Sequence, residues 1–152
     1  MKSPEAEDFL CVSIGDVLYA LPDGEVEDTV ELPPPNRPWP AHLLRDGRRI
    51  ELVDPRRLFQ VSTPPPLRRW AVLQRLGGAP TAPTTALVVD SIFRRLRIDP
   101  RRFQPVPWHF GGREQLWFGG ALDLDGERPL ILLRSRGLAA SCRASDPAGT
   151  IP

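Results

Sequence analysis

Residues 9–22 read FLCVSIGDVLYALP, and they set the fold class. From Phe9 to Ile14 the side chains alternate, with Leu10, Val12 and Ile14 on one face and Phe9, Cys11 and Ser13 on the other. A period of two belongs to a strand, because successive side chains point to opposite faces of a sheet. Gly15-Asp16 is a two-residue turn signal, Val17 to Leu21 resumes as a strand, and Pro22 stops it. The stretch reads as a β-hairpin. Cys11 therefore lies within a strand, as a small packing residue.

Similar signals recur outward from this hairpin. Asp23 to Leu32 places Val26 and Val30 among acids, fitting a short amphipathic turn or an irregular edge strand. His42-Leu43-Leu44 leads into a turn at Arg45-Asp46-Gly47, and Ile50, Leu52 and Val53 follow as a strand. Trp70–Leu76 is a strand, residues 77–85 (GGAPTAPTT) form a long hairpin loop, and Ala86–Val89 is the return. The chain then runs extended through Asp90 to Ile98, with Leu96 and Ile98 inward and the arginines outward. Leu116–Leu124 and Pro129–Leu133 flank a hairpin turn at Asp125-Gly126. Seven or eight short strands with turns between them indicate an all-β barrel or sandwich.

Short helical turns punctuate the strands. Asp54-Pro55-Arg56-Arg57 and Asp99-Pro100-Arg101-Arg102 each place an Asp cap before a Pro at the first helical position. The repeated strand–Asp-Pro-Arg-Arg pattern points to two similar lobes. Arg134–Ala140 reads as a last helical turn. The proline-rich stretches 33–42 and 62–67 read as stiff, extended connections. The expected organisation is a flexible tail at 1–8, one domain of two lobes at 9–138, and a flexible tail at 139–152.

At 152 residues the chain can bury roughly 70% of its unfolded surface, so neither disulfide nor metal is needed for stability. Its net charge of +1 conceals a polarity. Residues 1–35 carry nine acids against Lys2, a net of −8, and residues 36–102 carry fourteen arginines against five acids, a net of +9. Both segments fall in adjoining strands and turns, so the two charges are expected to compensate in space. The arginine pairs 48–49, 56–57, 68–69, 94–95 and 101–102 fall mainly at turns and caps and read as solvated edges. Cys11 and Cys142 lie far apart, which is no disulfide framework and makes a reducing cytoplasm the expected compartment. No apolar run approaches ~18 residues and no signal-type segment opens the chain, so no membrane insertion is expected.

The catalytic inventory is thin. His42 and His109 have no metal-ligand neighbours at the right spacing, the glycine pairs match no phosphate-binding loop, and no serine occupies a nucleophile elbow. Asp123 and Asp125 read as a solvated hairpin face. No enzyme, cofactor or metal is expected.

Four blocks resemble the CheW-like family of chemotaxis adaptors, over about residues 9–138. Phe9–Pro22 with Val26, Asp28 and Val30 is similar to the family's strand–G–xxYALP–xxxVxEV opening. LLRDGRRIELVDPRRLF (43–59) is similar to NLRG–xxVPVVDLRxxF. ALVVDSIFRRLRIDPRRFQPVP (86–107) resembles GLVVDEVxxVxxLxxxxIxPxP, and GALDLDGERPLILLRSRGL (120–138) resembles GxxxLxGRxxxLLDxxxLL. The resemblance implies two small, interlocked, SH3-like five-stranded barrels with a groove between them. It also implies a non-catalytic adaptor that binds methyl-accepting chemotaxis receptor tips and couples them to a CheA-type histidine kinase, in the cytoplasm at receptor arrays.

The partner contacts it implies are Leu44, Arg45, Gly47 and Ile50, with Val88, Val89 and Asp90 across the groove. Ile50, Val88 and Val89 read more readily as barrel core. The chain departs from the pattern in four places. Asp46 stands where the family's Arg precedes Gly, Glu51 replaces a proline, Arg134 replaces a closing Asp, and the loop at 77–85 is long. These departures lead to the expectation of a divergent, receptor-binding adaptor with weakened kinase docking. The alternative is an Arg-rich small β-barrel that binds nucleic acid through the +9 segment; compensation of that charge within the fold would argue against nucleic acid as a partner.

Overall fold

The computed structural model describes residues 6–32, 42–76, 81–105, 114–124, 126 and 128–145. Strands β1 (Glu7–Ile14) and β2 (Val17–Pro22) form the opening hairpin, paired from Phe9↔Pro22 to Ile14↔Val17. Gly15 takes φ +63° at the first turn position, where its missing Cβ leaves room for Val61. A 3₁₀ turn at Asp23–Glu25 leads into β3 (Val26–Leu32), an edge strand with a register shift between Val26 and Asp28. Then come β4 (His42–Arg45), β5 (Arg48–Val53), β6 (Arg69–Arg75), β7 (Thr84–Val89) and β8 (Ser91–Ile98). Helix α1 (Glu114–Trp117), β9 (Phe118–Asp123), β10 (Pro129–Leu133) and α2 (Ser135–Ser145) complete the described chain.

Among the described residues, ten strands make two five-stranded sheets, ordered β8-β1-β2-β10-β9 (sheet A) and β3-β6-β7-β5-β4 (sheet B). The two orders are one plan. Each runs antiparallel, antiparallel, parallel, antiparallel, with β8, β1, β2, β10 and β9 taking the places of β3, β6, β7, β5 and β4. Sheet B is continuous in sequence, whereas sheet A borrows its central hairpin from the start of the chain.

Strand alternation sorts the apolar residues into three cores. Phe9, Cys11, Ala20, Ile98, Leu122 and Leu130 pack within sheet A. Leu32, Ile50, Ala71, Leu73, Ala86 and Val88 pack within sheet B. The opposite faces of the same strands, including Leu10, Val12, Ile14, Val72, Leu87 and Val89, meet between the sheets with Trp117 and Leu138. The central strands are thus buried on both faces, which is why β1 and β7 read as nearly unbroken apolar runs.

Several expectations change. The Asp-Pro-Arg-Arg repeat is not the signature of the two lobes: Asp54 follows β5 and Asp99 follows β8, whose counterpart is β3. Both capped turns do form, with Asp54 accepting from the Arg56 amide at 3.1 Å and Asp99 from that of Arg101 at 3.0 Å. The strand expected at 116–124 begins at Phe118, because Leu116 and Trp117 close a helical turn pressed on α2. The Trp117 indole donates to Ser141 Oγ at 2.9 Å, and Gly137 seats directly over the Leu116 carbonyl. The helical turn expected at 134–140 is a longer helix that runs to Ser145, so residues 141–145, expected in the tail, are helical, and Leu138 and Ala139 are buried. At the other end β1 begins at Glu7, inside the stretch assigned to the first tail. The proline-rich connection at 33–41, residues 77–80 of the long loop, His109, Asp125 and residues 146–152 lie outside the described residues.

Candidate functional site

Among the described residues, the β4–β5 hairpin stands at the β4 edge of sheet B. Its register is His42↔Glu51, Leu43↔Ile50, Leu44↔Arg49 and Arg45↔Arg48. Asp46 and Gly47 both take positive φ, 51° and 75°, as a type I′ turn requires and as an Asp-Gly pair tolerates best. Alternation sends Leu43 and Ile50 into the sheet B core and turns Leu44 outward, 72% exposed, opposite the exposed Arg49. An exposed apolar side chain on an edge hairpin is a ready contact for another polypeptide.

Arg45 and Arg48 close the hairpin on its inner face. The Arg45 guanidinium pairs with Asp28 on β3, and Arg48 comes within 3.9 Å of Glu27. Strand β3 is the opposite edge of the same sheet, so these ions bring its two edges together. With side chains 38% and 46% exposed, the Arg45–Asp28 pair contributes only ~0–1 kcal/mol. Its effect is to aim the hairpin.

A second polar centre lies at Asp90, the residue that links β7 to β8. Its amide donates to the Ser13 carbonyl at 2.8 Å, and its Oδ2 accepts from the Gly15 amide at 2.7 Å. The same oxygen accepts from Arg56 Nη1 at 2.5 Å, while Arg69 Nε stands 3.4 Å from Oδ1. Arg69 also grips Asp54 with both terminal nitrogens, at 3.0 and 3.1 Å, and Arg56 donates to the Thr63 carbonyl. Beside it, Ser13 and Ser91 share a 2.6 Å hydroxyl contact. Arg56 and Arg69 are 8% and 3% exposed. This corrects the reading of the 56–57 and 68–69 pairs as solvated edges: one member of each is buried among carboxylates, since a buried guanidinium needs paired acceptors. The signal was present in VDPRRLF, where Arg56 matches the arginine of the VDLR pattern.

The residues singled out by sequence do not form one patch. Leu44, Arg45 and Gly47 share the hairpin. Ile50 and Val88, at 1% and 0% exposure, line the sheet B core, and Val89, at 0%, lies between the sheets. Strand β7 is the hydrogen-bonded neighbour of β5, so Val88 and Val89 are not on an opposite wall from Ile50. Asp90 is held in the buried charge cluster.

The expected charge compensation is visible strand by strand. Acids of the first segment meet arginines of the second in Asp8–Arg97, Asp23–Arg95, Glu27–Arg75, Asp28–Arg45 and Glu31–Arg68. Among the described residues, no group of three or more His, Cys, Asp or Glu could hold a metal ion, and no helix is long and apolar enough to cross a membrane.

Two like-built sheets joined over a common core make a small β scaffold that carries an edge hairpin. A family model, the CheW-like domain, matches residues 8–142, and the chain belongs to that family. CheW-like domains are non-catalytic adaptors in chemotaxis signal transduction, and this chain is accordingly not an enzyme. Among solved structures it is similar to the scaffolding protein TtCheW from Thermoanaerobacter tengcongensis, with 17% identity, a TM-score of 0.67 and 86% of each chain covered. No curated protein matches the sequence.

Proposed function

We propose that the chain is a cytoplasmic adaptor of a chemoreceptor array that binds a methyl-accepting receptor tip through the β4–β5 hairpin. The observation that carries this reading is Leu44, 72% exposed on an edge strand whose neighbour Arg45 is already oriented by Asp28. Arg45, held by Asp28 on the inner face, restrains the hairpin that presents Leu44 on the outer face, so little freedom is lost on docking a partner helix. Each sheet closes into a small SH3-like barrel, and the groove between the two barrels receives the helix. Closure of sheet B is supported by the ions joining β4 and β5 to β3. Closure of sheet A is supported by Gln104, just beyond β8, which exchanges two 2.8 Å hydrogen bonds with Ala121 on β9.

Docking on a CheA-type kinase is weakened. Arg134 stands at the start of α2, where its carbonyl accepts from Leu138 and a carboxylate would suit the helix dipole better than a cation. Titration calorimetry with a receptor-tip fragment and with the kinase regulatory domain tests both statements. Saturable receptor binding that falls by ~30-fold in Arg45→Ala is expected, about 2 kcal/mol at an anchor residue. Unchanged affinity in that variant removes the hairpin from the interface, and tight kinase binding at micromolar concentration overturns the weakened docking.

A further inference from the structure

We infer that Asp90 is a positioning residue that sets how the two sheets face each other. The case rests on where its partners come from. Asp90 is itself the single-residue link between sheet B and sheet A, from β7 into β8. Its backbone amide and one carboxylate oxygen hold the β1–β2 turn of sheet A, through the Ser13 carbonyl and the Gly15 amide. Its Oδ2 also accepts from Arg56, just beyond β5, and its Oδ1 faces the Nε of Arg69, which opens β6, at 3.4 Å as an ion pair rather than a hydrogen bond. Arg69 passes the restraint on to Asp54 at the end of β5. One carboxylate, 10% exposed, therefore fixes three strand ends of one sheet against the turn of the other.

The neighbouring apolar core cannot supply this. Burial is non-directional, so Leu10, Val12, Leu87 and Val89 pull the sheets together without choosing an angle. Hydrogen bonds to a fixed carboxylate are directional. A buried ion cluster contributes little net stability over an apolar replacement, and its best-attested use is to select one arrangement among several. Asp90 acts through the sheets and touches no partner itself, being buried behind the Gly15 turn. Its bearing on receptor affinity rests on the adaptor reading above; its bearing on geometry does not.

The experiment uses the full chain with Cys11→Ala and Cys142→Ser, spin-labelled through Arg49→Cys on β5 and Arg102→Cys beyond β8. Pulsed dipolar spectroscopy reads the distance between the sheets, and calorimetry reads affinity for the receptor-tip fragment. Asp90→Asn is expected to broaden the distance distribution at least twofold and to weaken receptor binding about tenfold. Leu73→Ala, a deletion inside the sheet B core, serves as a control that lowers stability but leaves the distance sharp. Should Asp90→Asn fail to fold, Arg56→Lys, which keeps the charge but gives up the branch to Thr63, is expected to broaden the distribution by a smaller factor. An unbroadened distribution in whichever aspartate or arginine variant folds, or equal broadening in Leu73→Ala, overturns the inference. Absence of receptor binding by the parent chain overturns the adaptor reading instead, with the distance measurement still deciding the role of Asp90.

Discussion

Gly137 has less freedom to change than any other described glycine. A Cβ there would lie 2.0 Å from the Leu116 carbonyl oxygen and 3.0 Å from its carbon, both backbone atoms that cannot swing away. Alanine normally improves a helix interior by about 1 kcal/mol over glycine. Here Gly137→Ala must lift α2 off α1, and overpacking of this kind costs about 2 kcal/mol. Urea unfolding checks this against Gly24→Ala, which meets nothing within 4 Å and is expected to stay within about 0.5 kcal/mol of the parent. Cys11 is a second constrained residue. Burial pushes its thiol above the ordinary 9.0, with Arg94 opposing more weakly, and burial pushes the Tyr19 hydroxyl above its ordinary 10.0. The folded chain therefore keeps protons that the unfolded chain releases. Stability is full below pH 9.0 and declines as pH rises through that value and then through 10.0. Unfolding midpoints measured from pH 7 to 11 should show this decline, and Cys11→Ala should remove its first part. A thiol reagent at neutral pH is expected to modify the half-buried Cys142 well before Cys11.

Elements were legible wherever local chemistry and tertiary packing agree. The β1–β2 and β4–β5 hairpins carry alternation up to a turn pair whose dihedrals the structure reproduces, and Asp54 and Asp99 cap their turns as the Asp-Pro order requires. Leu116-Trp117 was not legible, because three successive large apolar residues fit strand and helix alike, and only α2, remote in sequence, selects the helix. The candidate site was half legible. Turn chemistry exposes the hairpin of Leu44, Arg45 and Gly47, but the burial of Arg56 and Arg69 depends on carboxylates brought in from other strands. Asp99 makes a local prediction. The Arg101 guanidinium and amide hold its carboxyl below the ordinary 3.8, so the 3₁₀ turn at Pro100–Arg102 gains from this contact above 3.8 and loses it as pH falls through the lower folded value. An NMR titration should place the Asp99 midpoint below 3.8, and Arg101→Ala should return it toward that value.

Over the whole molecule, acids of the −8 segment pair with arginines of the +9 segment, so the positive charge stands among carboxylates. No DNA binding is expected at about 50 mM salt, where a basic groove would bind and then release steeply as salt rises. Fluorescence anisotropy with a labelled oligonucleotide checks it, and salt-sensitive saturable binding would restore the nucleic-acid alternative. The shared plan of the two sheets makes a further prediction, because β1 and β2 are central strands of sheet A. A chain beginning at Asp23 is expected to lose sheet A and expose the faces of Val89 and Leu133 that met β1 and β2, read as lost amide dispersion by NMR. The same borrowing has a consequence on the ribosome. Leu21, the partner of Leu10 across the hairpin, follows it closely in synthesis, but the other neighbour of Leu10, Arg95, emerges only after all of sheet B. At about 5–20 residues per second the nascent hairpin waits several seconds or more with an open edge and two apolar faces, while sheet B can assemble behind it. The β1–β2 hairpin, made before all of sheet B, is enclosed after it, and that interval is when a chaperone or a second nascent chain would find it.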